Sequence, residues 1–196
     1  MEKVKGFKDI FEFNLLKLDD EGRFISFKRN SEDMAVVIDS VLNTPIISIG
    51  LKSQYLYMEG DTFKASPIKQ QFSPEEKAKY KSLKGKNKRY RMIYVPATKS
   101  TYIFTYTNGI GESFYVAGIG VSDAFKIVGV ERRTTIHKKS SKMGVKFYAP
   151  VLEKLSLKDV ALDQEDKATI SRLKEYFEPY KAVAETTATV TDEVPF

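Results

Sequence analysis

Few residues in this chain have the side-chain chemistry that catalysis or metal binding requires. The 196 residues contain one histidine, His137, and no cysteine. This composition excludes disulfides, thiolate metal ligands and cysteine nucleophiles, and it leaves little basis for a zinc site or a Ser-His-Asp triad. The glycine pairs Gly109 with Gly111 and Gly118 with Gly120 complete neither of the glycine-rich phosphate-binding motifs. The sequence therefore predicts a protein that is not an enzyme and holds no cofactor or metal.

Two clusters of acidic residues have positions that favour a structural role. The first precedes Gly22 at the turn of a predicted hairpin, where carboxylates are solvated. The second lies in the first turn of a predicted helix, where carboxylates complement the helix dipole. The clusters are Asp19, Asp20 and Glu21, and Asp163, Glu165 and Asp166. Neither cluster requires a catalytic explanation.

Basic residues are concentrated in two stretches of a chain whose formal net charge is +6. Lysine and arginine runs of this kind are typical of surfaces that neutralise phosphates, although a solvated basic face is the alternative interpretation. We expect DNA contacts from Lys84, Lys86, Lys88, Arg89 and Arg91 in the first stretch and from Arg132, Arg133, Lys138, Lys139 and Lys142 in the second, which ends at Lys146.

Aromatic residues alternate with other residues in two predicted strands beside the first basic stretch. Tyr90 and Tyr94 share one face of the first strand, and Tyr102, Phe104 and Tyr106 share one face of the second. Rows of this kind can stack unpaired bases, each base contributing about 1–3 kcal/mol. A place in the core is the alternative, but tyrosine suits a dry core poorly because its hydroxyl needs a partner.

The local patterns predict a β-rich α+β fold with two or three helices and a disordered C-terminal tail. Helix signals begin at Ser31, at Ser73 with Pro74, and near Asp163. Alternating or β-branched stretches predict the strands, and Asn108 with Gly109 predicts a tight turn. We expect a twisted antiparallel sheet or an OB-like barrel with strands at 11–15, 23–28, 46–49, 55–58, 90–95, 101–107, 114–121, 125–130 and 146–149.

The chain is predicted to form one nucleic-acid-binding domain over residues 1–180, followed by a flexible linker and an acidic tip over 181–196. The last five residues are Asp192, Glu193, Val194, Pro195 and Phe196. This ending resembles the tip of bacterial single-stranded DNA-binding proteins. The resemblance implies docking of replication, recombination or repair proteins, with the Phe196 ring in an apolar pocket and its carboxylate beside a basic side chain.

These features together predict a single-stranded DNA-binding protein from a bacterium or a bacteriophage. Three alternatives stay open: a strand-annealing or recombination-mediator protein, an adaptor that does not bind DNA, and a phage structural protein. No stretch approaches the roughly 18 apolar residues of a transmembrane helix. The first residues lack the apolar run of a secretory signal, so we expect a cytoplasmic protein, with self-association left open.

Overall fold

The computed structural model describes residues 12–28, 34–66, 73–83, 86–134, 144 and 146–177. In this part of the chain, nine strands and three α-helices follow one another. They are β1 (Asn14–Leu18), β2 (Phe24–Phe27), β3 (Val36–Val37), β4 (Ile46–Glu59), β5 (Thr62–Ala65), α1 (Pro74–Ser82), β6 (Lys86–Val95), β7 (Ser100–Tyr106), α2 (Asn108–Val116), β8 (Ala124–Thr134), β9 (Lys146–Leu155) and α3 (Gln164–Phe177).

All nine strands belong to one sheet, with the order β3-β2-β1-β7-β6-β4-β8-β9 and with β5 beside the far end of β4. The β1–β7 pair is parallel, and the other pairs of the sheet are antiparallel. The prediction of a β-rich α+β fold is confirmed. The sheet is open, so of the two expected forms the chain adopts the sheet and not the closed barrel, and the parallel β1–β7 pair departs from the expected antiparallel pairing.

Side-chain alternation divides the central strand β6 between two hydrophobic layers. Ile93 and Val95 point to the first face, which also carries Phe104 of β7 and is covered by α2 and the β8–β9 hairpin. Met92 and Tyr94 point to the second face, where α3 packs. Each layer of helix or hairpin thus covers one face of the same sheet, as an α+β protein requires.

The distal part of the β8–β9 hairpin lies across the first face, and two glycines permit its close approach. A Cβ atom at Gly109 would lie 2.7 Å from the Phe147 ring, and one at Gly22 would lie 2.8 Å from the Tyr148 ring. Gly22 also has a φ of +81°, which disfavours any other residue. These contacts fix the far end of the hairpin between the start of α2 and the β1–β2 turn.

A buried polar network attaches α3 to the sheet. The Asp166 carboxylate accepts hydrogen bonds from the Tyr94 hydroxyl at 2.7 Å and from Lys99 Nζ at 2.7 Å. Burial by itself would raise the pKa of Asp166, but the hydrogen bonds from Lys99 and Tyr94 outweigh it and lower the pKa to about 2. Burial and the bond to Asp166 raise the pKa of Tyr94 to about 12. The acidic cluster at this helix start is therefore structural, as its position indicates.

The secondary structure predicted for two segments is wrong. The segment after Ser31 was expected to be a helix, but Val36 and Val37 form an edge strand with β2 and are exposed. The segment at Asn108 was expected to be a turn followed by a strand, but it forms α2. In both places tertiary contacts outweigh local propensity, because β2 supplies a strand partner to the first and the sheet supplies an apolar surface to the second.

Other elements agree with the sequence in type. Ser73 caps α1 through a reciprocal capping box with Glu76, and Pro74 occupies its first turn. The strands predicted at 90–95, 125–130 and 146–149 are present but longer, and β6 begins at Lys86 within the first basic stretch. None of the helices in the described ranges is long and apolar enough to cross a bilayer.

We expect Asp166→Asn to lower the free energy of unfolding at neutral pH by about 2–3 kcal/mol, because hydrogen bonds to a buried charged group are lost. The folded-state pKa of Asp166 is lowered to about 2. Its stabilisation is therefore complete above the unfolded-state pKa of about 3.9 and is lost as the pH falls through the folded-state value. Urea denaturation across acidic to neutral pH measures the effect. Asp159→Asn, at an exposed carboxylate, is the control and should match the wild type.

Candidate nucleic-acid interface

The five rings expected to stack on bases lie in the protein core. Their exposed fractions range from 0% for Phe104 to 7% for Tyr102. Phe104 and Tyr106 join an aromatic cluster on the first face in which ring centroids are 5.1–6.1 Å apart. This corrects the expectation of an exposed stacking row, because both faces of β6 and β7 are covered at these positions. The corrected residues are Tyr90, Tyr94, Tyr102, Phe104 and Tyr106.

Tyr90, Tyr94 and Tyr106 tolerate burial because their hydroxyl groups find partners inside the protein. Tyr90 donates to the Gln54 side-chain oxygen at 3.2 Å, and Tyr94 donates to Asp166. Tyr106 accepts from Arg91 Nε at 3.2 Å. A row of tyrosines on a strand therefore does not by itself indicate a binding platform, since polar residues elsewhere in the chain can satisfy the hydroxyls.

Arg91 was expected to contact phosphate, but its guanidinium is buried, with 3% of the residue exposed. Its Nη1 donates to Ser48 Oγ at 2.8 Å and to the Gly120 carbonyl oxygen at 2.7 Å. The guanidinium carbon also lies 4.2 Å from the centroid of the Phe114 ring. These contacts join β6 to β4, β7, α2 and the loop after α2, so Arg91 is a core residue.

The remaining described residues of the first basic stretch are divided between the two faces of the sheet. Arg89 shares the first face with Arg91, and its guanidinium lies against Gly111 of α2. Lys86 and Lys88 lie on the second face, and Lys88 Nζ is 5.4 Å from the centroid of the Tyr90 ring. The division follows from the strand, which begins at Lys86 and alternates its side chains.

The second basic stretch begins at the distal end of the β8–β9 hairpin. Arg132 and Lys146 are exposed, while Arg133 is partly exposed and forms an ion pair with Glu131. Several predicted binding residues lie outside the described part of the chain. They are Lys84, Lys138, Lys139 and Lys142, and the tip residues Asp192, Glu193, Val194, Pro195 and Phe196.

Arg89 of the first basic stretch and Phe147, which follows the second, both contact the first turn of α2, although they are distant in sequence. The Arg89 guanidinium lies against Gly111, and the Phe147 ring lies against Gly109. Phe147 is in turn the cross-strand partner of Arg133. We define the hairpin surface as the basic residues near these contacts, which are Arg89, Arg132, Arg133 and Lys146. Alternation places Arg133 with Phe147 on one side of the hairpin, and Arg132 and Lys146 with Tyr148 on the other side.

Aromatic residues do accompany the hairpin surface, but they are not the ones expected from the sequence. Phe147 and Tyr148 are partly exposed and lie directly opposite Arg133 and Arg132 across the hairpin. The adjacent residues Lys146, Phe147 and Tyr148 form a basic-aromatic run, and Phe147 and Tyr148 are not among the predicted stacking residues. The signal was available, because the run closes the second basic stretch.

Acidic residues lie close to the hairpin surface in the β1–β2 turn as well as at Glu131. The β1–β2 turn, whose Gly22 contacts Tyr148, carries Asp19, Asp20 and Glu21. Arg23 forms ion pairs with both Asp19 and Glu21 at 2.8 Å. The backbone hydrogen bond from Arg23 is the main cause that lowers the pKa of Asp19. This internal pairing reduces the negative potential that the turn presents to the hairpin surface.

Comparison with known proteins gives no matching family model, no matching curated protein and no matching solved structure. Within the described ranges, no three histidine, cysteine, aspartate or glutamate side chains are placed to hold a metal ion. A functional assignment therefore depends on the charge and shape of this chain's own surfaces.

We expect Arg91→Ala to destabilise the fold by about 3 kcal/mol, because it creates a cavity and leaves buried hydrogen-bond acceptors without their donor. Arg91→Lys should also destabilise it, since an ammonium cannot reproduce the planar set of guanidinium donors. Arg132→Ala, at an exposed position, should change the unfolding free energy by no more than about 0.5 kcal/mol. Chemical denaturation of the three variants measures the difference. Equal effects at positions 91 and 132 would contradict the core assignment.

Proposed function

We propose that this protein binds single-stranded DNA through the hairpin surface. The observation that supports the proposal is that Arg89 and the basic distal end of the β8–β9 hairpin, distant in sequence, both adjoin the first turn of α2. Cationic side chains gathered at one end of a sheet attract a polyanion and release its counterions on binding. The proposal assigns phosphate contacts to Arg89, Arg132, Arg133 and Lys146.

Single strands are the favoured substrate because aromatic rings adjoin these cations. Phe147 and Tyr148 are partly exposed across the hairpin from arginines. Unpaired bases can stack on such rings, whereas the bases of a duplex are enclosed in its own stack. The tip over Asp192–Phe196 supports the same function by resemblance, and we assign to it the recruitment of replication, recombination or repair proteins.

Charge reversal at the hairpin surface should weaken binding to oligo(dT). We expect Arg132→Glu with Lys146→Glu to reduce affinity by roughly tenfold at low salt and to reduce the log–log salt slope by about 1.4, since each phosphate neutralised on a single strand contributes about 0.7. Fluorescence anisotropy of labelled oligo(dT), with a duplex in parallel, measures both quantities. Binding of the wild-type protein to the duplex should be weaker.

A matched variant tests whether position matters or only net charge. Lys158→Glu with Lys167→Glu makes the same change in charge at two exposed lysines beyond β9 and in α3. This variant should bind oligo(dT) within about twofold of wild type at moderate salt, where distant surface charges are screened. The proposal fails if the wild type binds neither oligo(dT) nor duplex at low salt, or if the two variants lose equal affinity.

The acidic tip should compete with DNA for the basic residues. Residues 181–196 contain one lysine against Glu185, Asp192 and Glu193. We expect removal of residues 192–196 to raise oligo(dT) affinity several-fold at low salt, and the difference to vanish at high salt because screening weakens the competition. Asp192→Asn with Glu193→Gln, which retains Phe196, separates the effect of charge from that of the ring. Unchanged affinity in both variants would show that the tip does not compete.

A further inference from the structure

An apolar groove runs along one flank of α3, on the second face of the sheet. Ile47 and Ile170 line it as buried residues of the second hydrophobic layer, and Leu157, just after β9, is 44% exposed beside it. Its volume is about 260 Å³, smaller than the roughly 300–1,000 Å³ of pockets for small organic ligands. We define the α3 groove by the lining residues Ile47, Leu157, Leu162, Lys167, Ile170 and Lys174.

Two lysines give the α3 groove a basic rim. Lys167 and Lys174 are exposed, and neither forms an ion pair within the part of the chain that the structure describes. Asp163, one turn before Lys167, is paired with Lys99 instead. The described residues that line the groove include no aspartate or glutamate. An apolar groove with this rim is complementary to a segment that carries carboxylates beside apolar side chains.

The tip of this chain has that composition. Asp192 and Glu193 supply two carboxylates, and Val194, Pro195 and Phe196 follow them directly. Five extended residues span about 16 Å, and two lysines seven positions apart on a helix are separated by about 10 Å along its axis. The carboxylates can therefore reach the lysine rim while the apolar residues enter the groove. Pro195 restricts the free segment, which reduces the entropy lost on docking.

The chain between α3 and the tip is long enough to return the tip to the groove. Helix α3 ends at Phe177, and residues 178–191 connect it to the tip. This connection spans up to about 45 Å when extended, whereas the 14 residues of α3 are about 21 Å long. A flexible connection of this length gives an effective concentration on the order of millimolar for the tip near its own groove. A modest affinity is then sufficient for docking.

We propose that the α3 groove binds the tip of the same chain, with the Phe196 ring in the groove and the two tip carboxylates beside the lysine rim. Docking goes beyond DNA binding and does not require it. Because the groove lies with α3 on the second face, a docked tip is held away from the hairpin surface, and competition with DNA comes from the undocked fraction. A docked tip also covers Phe196. Recruitment of other proteins, which belongs to the proposed function, would then require undocking.

A tryptophan at position 196 reports docking, because the chain has no tryptophan of its own. The reporter chain is full-length protein with Phe196→Trp, measured at low salt without DNA. We expect its emission at shorter wavelength than that of a synthetic peptide of residues 187–196 with the same substitution. Acrylamide should quench the reporter chain about twofold less than the peptide, because linkage to the groove keeps most of the tip docked and shielded.

Matched substitutions in the reporter chain locate the docking site. Lys167→Glu with Lys174→Glu should raise acrylamide quenching to the value of the peptide, and Leu157→Asn, an uncharged change at the apolar wall, should raise it as well. Lys77→Glu with Arg172→Glu makes the same change in charge at two exposed positions that do not line the groove. This control should keep the docked signal. Thermal melts equal to that of the reporter chain verify folding of each variant.

A second measurement keeps the native ring at position 196. A fluorescently labelled peptide of residues 187–196 should bind the chain shortened by residues 192–196 several-fold more tightly than it binds the full-length chain, because the chain's own tip competes for the groove. Fluorescence anisotropy measures both affinities. The Lys167→Glu with Lys174→Glu change in the shortened chain should abolish this difference.

The outcomes separate this inference from the proposed function. Docking is overturned if the reporter chain behaves like the free peptide and the labelled peptide binds both chains equally. It is also overturned if the two charge reversals lose the docked signal to the same extent. A docked signal that rises with protein concentration would mean that the tip of a second copy occupies the groove, which overturns docking within one chain. Because DNA is absent throughout, failure of docking leaves single-strand binding unaffected.

Discussion

One buried arginine, Arg91, joins four elements of this fold. A guanidinium placed in a core loses its hydration, and the loss is tolerable only where hydrogen bonds and a polarisable surface replace the water. Arg91 meets both conditions, because Ser48, Gly120 and Tyr106 accept its hydrogen bonds and the Phe114 ring lies beneath it. Those partners come from β4, the loop after α2, β7 and α2. Aromatic side chains of the first face, Tyr106 and Phe114, therefore replace water around the buried Arg91 guanidinium. The position of α2 depends on these contacts.

The position of Arg91 also determines the placement of the other basic residues on β6. Once position 91 faces the core of the first layer, alternation fixes Arg89 on the same side and Lys88 and Lys86 on the opposite side. A shift of one residue would move Arg91 to the second face and Lys88 to the first, and it would break the contacts of both. The division of one basic stretch between two surfaces is thus a consequence of how the core is formed. Basic residues that are adjacent in sequence therefore lie on two separate surfaces of the sheet.

The sequence predicts those elements whose structure depends on neighbouring residues. Its predictions are wrong where contacts between distant elements determine secondary structure or burial. The capping box at Ser73, the hairpin at Gly22 and the strands around Tyr90 and Tyr102 follow from neighbouring residues, and the alternation of Tyr102, Phe104 and Tyr106 was correctly assigned to one face. Whether that face lies at the surface or in the core was not correctly predicted, because the answer depends on α2. That nine-residue helix has no side-chain cap at Thr107, and Gly109 and Gly111 weaken its helix propensity. The segment is helical because of tertiary contacts. Its glycines leave room for the Phe147 ring and the Arg89 guanidinium, and no local sequence pattern reveals these contacts.

The same contacts affect how binding experiments on this protein should be interpreted. Under the proposed function, a substitution at Arg91 would reduce DNA binding indirectly, through a displaced α2, since that helix contacts both the Arg89 guanidinium and the Phe147 ring. Substitutions at the buried tyrosines would act in the same indirect way. Under the same proposal, exposed positions such as Arg132 and Lys146 would act on the nucleic acid through charge, so their effect should shrink with added salt while the effect of a core variant persists. Salt dependence therefore separates residues that contact the strand from residues that only support the surface. A basic side chain near the interface belongs to the first group only when added salt reduces the effect of its substitution on affinity.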